Sequence, residues 1–134
     1  MLSENKITAQ NTLEEATRLM NNAHKELQKA DKNGQVYRDV KHLRLACGAA
    51  YLAVLKAIDG IFLLRNIPKP KRHASIEYYQ LGLNKIDNKI QNALNAAYRI
   101  LHIDGYYEGF NNVKAIQLGF EEAEFIIHKL KQSI

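Results

Sequence analysis

Cysteine, proline and tryptophan are nearly missing from this chain of 134 residues, which holds one cysteine, two prolines and no tryptophan. The single thiol, Cys47, closes no disulfide within the chain and supplies no cysteine-rich zinc site. The first ten residues, MLSENKITAQ, are polar and contain no apolar signal core. Both features predict a cytoplasmic protein. With so little proline, long stretches run without a breaker, which excludes a sandwich of short strands and favours helices. A phosphate-cradling glycine loop and the helical zinc-protease motif are also missing, and Glu-x-x-His, the mark of di-iron bundles, is absent throughout. No metal and no cofactor is expected, and the reading leans away from an enzyme.

What is present is an ordinary globular mixture. Hydrophobic residues at 46% and charged residues at 25% argue against disorder, and the length suits one domain spanning 1–134. The stretch from Leu45 to Leu64 resembles a membrane span, but Lys56 and Asp59 lie inside it, each costing about 2.5–3.5 kcal/mol at a bilayer centre. Gly48 and Gly60 interrupt it further. It reads as the most buried helix of a soluble bundle, with no membrane involved. The formal net charge of +5 is uneven: from Lys25 to Arg72 there are eleven Lys/Arg against four Asp/Glu, and from Ile103 onward three against five. A basic middle attracts RNA or another acidic partner through its field, although a charge run is more often a solvated surface.

Apolar residues recur at helical spacing along four stretches. Leu13, Ala16, Met20, Ala23, Leu27 and Ala30 make the first stripe, and Asp31-Lys32-Asn33-Gly34 stops it. Val36, Val40, Leu43, Cys47, Ala50, Val54 and Ile58 make the second. Leu45, Leu52 and Leu55 add apolar surface on its other faces, so this helix reads as central. The run Cys47-Gly48-Ala49-Ala50 permits a close crossing. Pro68 and Pro70 end it. Ile76, Tyr79, Leu83, Ile86, Ile90, Leu94, Ala97 and Leu101 make the third stripe, and Asp104-Gly105 ends it. Val113, Ile116, Phe120, Ala123, Ile127 and Leu130 make the fourth, with Asn111 or Asn112 as N-cap. The prediction is an all-α, antiparallel up-down four-helix bundle with helices over about 5–31, 36–66, 75–103 and 111–132, a rod of roughly 35–45 Å.

Two places carry candidate chemistry. Arg99 and His102 are three apart and share a helical face, and Asp104, Tyr106 and Tyr107 follow at once as binding candidates. An exposed arginine beside a histidine titrating near neutrality binds phosphate and moves protons, as RNA cleavage requires. The plainer reading is a pair of cations at a helix C-terminus. The second place is the loop Pro68-Lys69-Pro70-Lys71-Arg72-His73, where Lys69, Lys71 and Arg72 form a rigid basic edge. Tyrosines cluster around the third helix and its exit, able either to stack on bases or to cap the rim of a core.

The stretch HLRLACGAAYLAVLKAIDGIFL resembles the second helix of HEPN-type bundles, and AYRILHIDGYYEGFNNVKAIQLGFEEAEFII resembles their last two helices. The resemblance covers about the last two-thirds of the chain. It implies a helical bundle, usually dimeric, of a family that includes toxin and defence ribonucleases and non-catalytic partner proteins. The family's catalytic arginine and histidine stand further apart than Arg99 and His102, so the two carry over as positional counterparts only. Ribosomal intervening-sequence proteins are a second group of small basic bundles that the chain resembles. The leading expectation is a non-enzymatic HEPN-like binding or assembly module. Its partner is a second copy, as a homodimer or other homo-oligomer, or another protein. The alternative is an RNA-binding or RNA-cleaving HEPN-type protein.

Overall fold

The computed structural model describes residues 3–134. Its elements run in the order α1 (Glu4–Lys29), β1 (Lys32–Asn33), β2 (Val36–Tyr37), α2 (Val40–Leu64), α3 (Ile76–Asn84), α4 (Asn88–Ala97), a π-helix (Tyr98–Tyr107) and α5 (Val113–Ser133). The fold is helical with one very small sheet, as the breaker-poor sequence predicts.

The first helix begins where Ser3 accepts a hydrogen bond from the Lys6 amide, and its last turn closes at Ala30. Ala9, Ala16, Ala23 and Ala30 recur every seven residues and are all fully buried. Side chains this small bring α1 close against α2, which presents Ala46, Ala50, Ala53 and Ala57, also fully buried. Met20 fills a wider gap on the same stripe.

Between α1 and α2 the expected direct helix–helix link is a β-hairpin, which corrects the predicted start of the second helix at 36. Asp31 and Gly34 both take positive φ, at 56° and 67°, and turn the chain so that Lys32 pairs with Tyr37 and Asn33 with Val36. Tyr37 is buried, whereas Val36, assigned to a core stripe by its spacing, is 39% exposed. The hairpin is tied to the start of α5. The Tyr37 amide donates to the Asn111 carbonyl at 2.9 Å, and the Val113 amide donates to the Gln35 carbonyl at 2.9 Å. The N-cap of α2 is Asp39, whose carboxylate accepts from the His42 amide at 3.1 Å. The helix is long and apolar enough to cross a membrane by length and composition, yet 56% of its most apolar window is buried within the protein.

The largest correction falls on the third predicted helix. Residues 75–103 do not form one rod. The helix breaks at Lys85–Asp87, because the Asp87 carboxylate caps a new start by accepting from the Lys89 and Ile90 amides at 2.8 and 3.3 Å. The described residues therefore form five α-helices in place of the expected four. Asp104-Gly105 does not end the last segment either. The helix widens from Tyr98 into a π-helix and runs to Tyr107, and Gly109 at φ 67° turns the chain away. Asn112 then caps α5 by accepting from the Ala115 amide at 2.9 Å, as its position predicts. Ile90, Leu94, Leu101, Phe120 and Ile127 meet in the core, while Ile86 sits half-buried at the break.

Candidate functional site

The π-helix is the unusual element. Hydrogen bonds five residues apart widen the turn, and such segments are rare and frequent at functional sites. Here the widening sets Tyr98, His102 and Tyr106 along one side. The His102 imidazole lies at the centre of a tyrosine cluster: its ring centroid is 4.6 Å from Tyr51, 5.4 Å from Tyr98, 4.9 Å from Tyr107 and 6.2 Å from Tyr106. Tyr51, from α2, stacks on it at an interplanar angle of 24°. Two glycines allow the approach. A Cβ on Gly48 would stand 3.1 Å from the Tyr106 ring, and one on Gly105 would meet Cys47 on α2. The close crossing predicted at Cys47-Gly48-Ala49-Ala50 is made here.

The electrostatics follow from burial. Desolvation lowers the His102 pKa, so the ring is neutral at pH 7. It pushes the Cys47 thiol up to about 12, which leaves it unreactive. Burial, with Tyr98 nearby, raises the Tyr51 phenol well above its usual value, so that hydroxyl stays protonated. A neutral imidazole ringed by phenols can accept and donate hydrogen bonds and can stack, but it presents no fixed charge.

Arg99 does not join this cluster. It is exposed, and among the described residues no hydrogen bond or ion pair links it to His102. Asp104 is half-buried and uses its backbone carbonyl to accept from the Phe110 amide at 2.8 Å. Tyr106 and Tyr107 lie on the rim, 42% and 59% exposed. Lys69, Lys71 and Arg72 are exposed on a different cleft, between the α2–α3 loop and the start of α3. The structure thus separates Lys69, Lys71 and Arg72 from the tyrosine cluster and leaves Arg99 outside both.

The surface that the tyrosines border leaves no mark in the helical spacing. Leu45 and Leu52, which the apolar pattern places on faces of a central helix, are 49% and 55% exposed. With Ala49 and Leu55 of α2 and Leu19 of α1 they floor an apolar groove of about 610 Å³ whose far wall is His102, Tyr106 and Tyr107. Tyr51 was likewise not singled out; its only sign is its spacing three and four residues from Gly48 and Cys47. Among the described residues no group of three or more His, Cys, Asp or Glu side chains is arranged to hold a metal.

A family model described as a domain of unknown function (DUF5618) matches residues 11–132. A solved structure, a protein of unknown function from Dyadobacter fermentans, is 33% identical to this chain, with 94% of this chain and 98% of that one covered and a TM-score of 0.85. No curated protein matches the chain.

Proposed function

The chain belongs to the DUF5618 family, and from its geometry we propose that it is a non-catalytic, HEPN-like assembly module that pairs with a second copy of itself through the open face of α2. The observation that carries this is the exposure of Leu45 and Leu52, on the helix that supplies most of the core, beside the exposed rings of Tyr106 and Tyr107. A contiguous apolar surface of this kind marks an interaction site.

A second copy suits the face for two reasons. Lys41, Leu45, Ala49, Leu52 and Lys56 share one side of α2 by helical spacing. The small Ala49 and Gly48 at its middle let two such helices approach closely. The ends also differ in what they offer. Lys41 forms no ion pair among the described residues near the N-terminal end, whereas Glu15 of α1 reaches Lys56 at 3.8 Å near the other. An antiparallel pairing about a two-fold axis brings the base of each copy towards the acid of its partner. Covering the open half of each leucine contributes roughly 1 kcal/mol per side chain, and the tyrosine rims add to it. Set against an association cost of at least about 4 kcal/mol, the four leucines of a pair roughly break even, so the tyrosine rims supply the net affinity and the dimer is weak.

Sedimentation velocity across about 5–200 µM checks the reading. The wild type should shift from monomer to dimer, and Leu52→Glu should stay monomeric with unchanged helicity. A wild type that is monomeric at the top of that range refutes it. The RNA-cleaving alternative needs Arg99 and His102 to act on one phosphate. Arg99 lies outside the cluster, and among the described residues no hydrogen bond or ion pair joins it to His102. An RNA degradation assay on wild type and His102→Ala separates the two readings, since cleavage lost with His102 would favour the alternative.

A further inference from the structure

Asp59 is a carboxylate in the most apolar helix of the protein, and none of the interactions described above uses it. It is half-buried on the floor of an open cleft of about 600 Å³, bordered by the α2–α3 loop. The Tyr79 hydroxyl donates to its Oδ1 at 2.9 Å. Among the described residues its other oxygen has no hydrogen bond, and no cation stands within salt-bridge distance. Burial pushes the carboxyl above the usual range, against the Tyr79 hydrogen bond and the pull of Lys69 and Lys56. A carboxylate kept partly desolvated in a cleft, with one oxygen unoccupied, is a frequent mark of a binding site.

The rim has the opposite character. Lys69, Lys71 and Arg72 sit within four consecutive residues, followed by His73, and none forms a salt bridge among the described residues. Their mutual repulsion is relieved by an anion. The loop that carries them is held in shape: Pro68 and Pro70 restrict its backbone, and the Tyr78 hydroxyl donates to the Pro68 carbonyl at 2.9 Å. Little ordering is left for a ligand to impose. Tyr78 and Tyr79 form the aromatic wall between rim and floor, their ring centroids 5.2 Å apart and backed by Phe62.

A purely anionic occupant meets Asp59, and a purely cationic one meets the loop. In charge and aromatic character the lining suits a flat molecule with phosphate at one end and a hydrogen-bond donor at the other. We propose that it binds a nucleoside phosphate, with the phosphate held by Lys69, Lys71 and Arg72 and the base against Tyr78, its amino group donating to the free oxygen of Asp59. The volume lies within the usual range for such sites, about 300–1,000 Å³.

Isothermal titration of the full chain with AMP, adenosine and inorganic phosphate tests this. AMP should bind with a dissociation constant of about 10–1,000 µM, more tightly than either fragment. Arg72→Glu should weaken AMP at least about tenfold through the lost charge-assisted contact. Asp59→Asn should weaken AMP roughly tenfold and leave phosphate binding unchanged. Both substitutions keep the fold, one being on the exposed loop and the other isosteric, and circular dichroism verifies it. No AMP binding at millimolar concentration overturns the proposal. So does phosphate binding as tightly as AMP, or an Asp59→Asn protein that binds AMP like wild type. Binding of an RNA oligonucleotide without binding of AMP also overturns it, since that describes an extended basic surface.

Discussion

Replacing Gly105 by alanine should loosen the tyrosine cluster by pushing the π-helix off α2, and the size of the effect can be worked out. The added methyl would stand 2.9 Å from Cys47 Cβ, closer still to its sulfur, and 3.1 Å from the Ile100 carbonyl oxygen. Cys47 is fully buried and has no room to retreat. Overpacking of this kind costs about 1–3 kcal/mol. Alanine in place of glycine within a helix returns up to about 1 kcal/mol. The net loss is roughly 1–2 kcal/mol, which at about 2.1 cal/mol/K per residue over 134 residues lowers Tm by roughly 4–7 °C. Thermal melts followed by circular dichroism at one fixed protein concentration read this directly. The near-ultraviolet signal comes largely from tyrosine, since the chain has no tryptophan, and it should fall in the variant. Cys47→Ala supplies the control. Alone it destabilises by about 1 kcal/mol through the void it leaves. Combined with Gly105→Ala it removes the collision, so the double variant should be at least about 1 kcal/mol more stable than the sum of the single changes predicts. Additive single and double changes would show that the Gly105–Cys47 contact does not hold the π-helix in place.

Two further expectations concern pH. Burial lowers the His102 pKa, so the folded state favours the neutral ring; that stability is present above pH 6.5 and is lost as pH falls through the folded value. An imidazole titration by NMR should give a midpoint below 6.5, and His102→Phe should lose the associated acid sensitivity; a midpoint above 6.5 contradicts the packing described. Asp59 has the opposite sign. Its raised pKa makes ionisation unfavourable to folding, so its contribution is fully present below pH 3.8 and lost as pH rises through the folded value. Asp59→Asn should therefore be more stable than wild type at pH 7 and equal to it near pH 3, as measured by urea midpoints, and a less stable variant at pH 7 would mean that the charge is satisfied within the fold.

The helical character, the stripes of α1 and α5, the Asn112 cap and the close crossing at Cys47-Gly48-Ala49-Ala50 could all be read from residue spacing. Each depends on contacts within a few turns, or on one face being apolar and the other polar, and those periods are written locally. Asp59 also left a trace, as an acid inside an apolar run. The break at Lys85–Asp87 is not legible in the sequence because the apolar spacing continues across it, while the Asp87 cap that decides it is a competition between two local hydrogen-bonding patterns. The π-helix left no periodic signal, since its turn is set by how the segment meets α2 at Gly48 and Gly105.

Which side of the apolar α2 helix lies open was settled only by where its neighbours stopped. The sequence by itself determined that this chain coils into helices with buried alanine-rich seams, because helical spacing and side-chain size are properties of neighbours along the chain. Tertiary structure alone decided that Leu45 and Leu52 face outward, that His102 is enclosed by tyrosines while Arg99 is not, and that Asp59 lies beneath a basic loop. Those relations join residues distant in sequence, and they depend on how much of each helix the others cover.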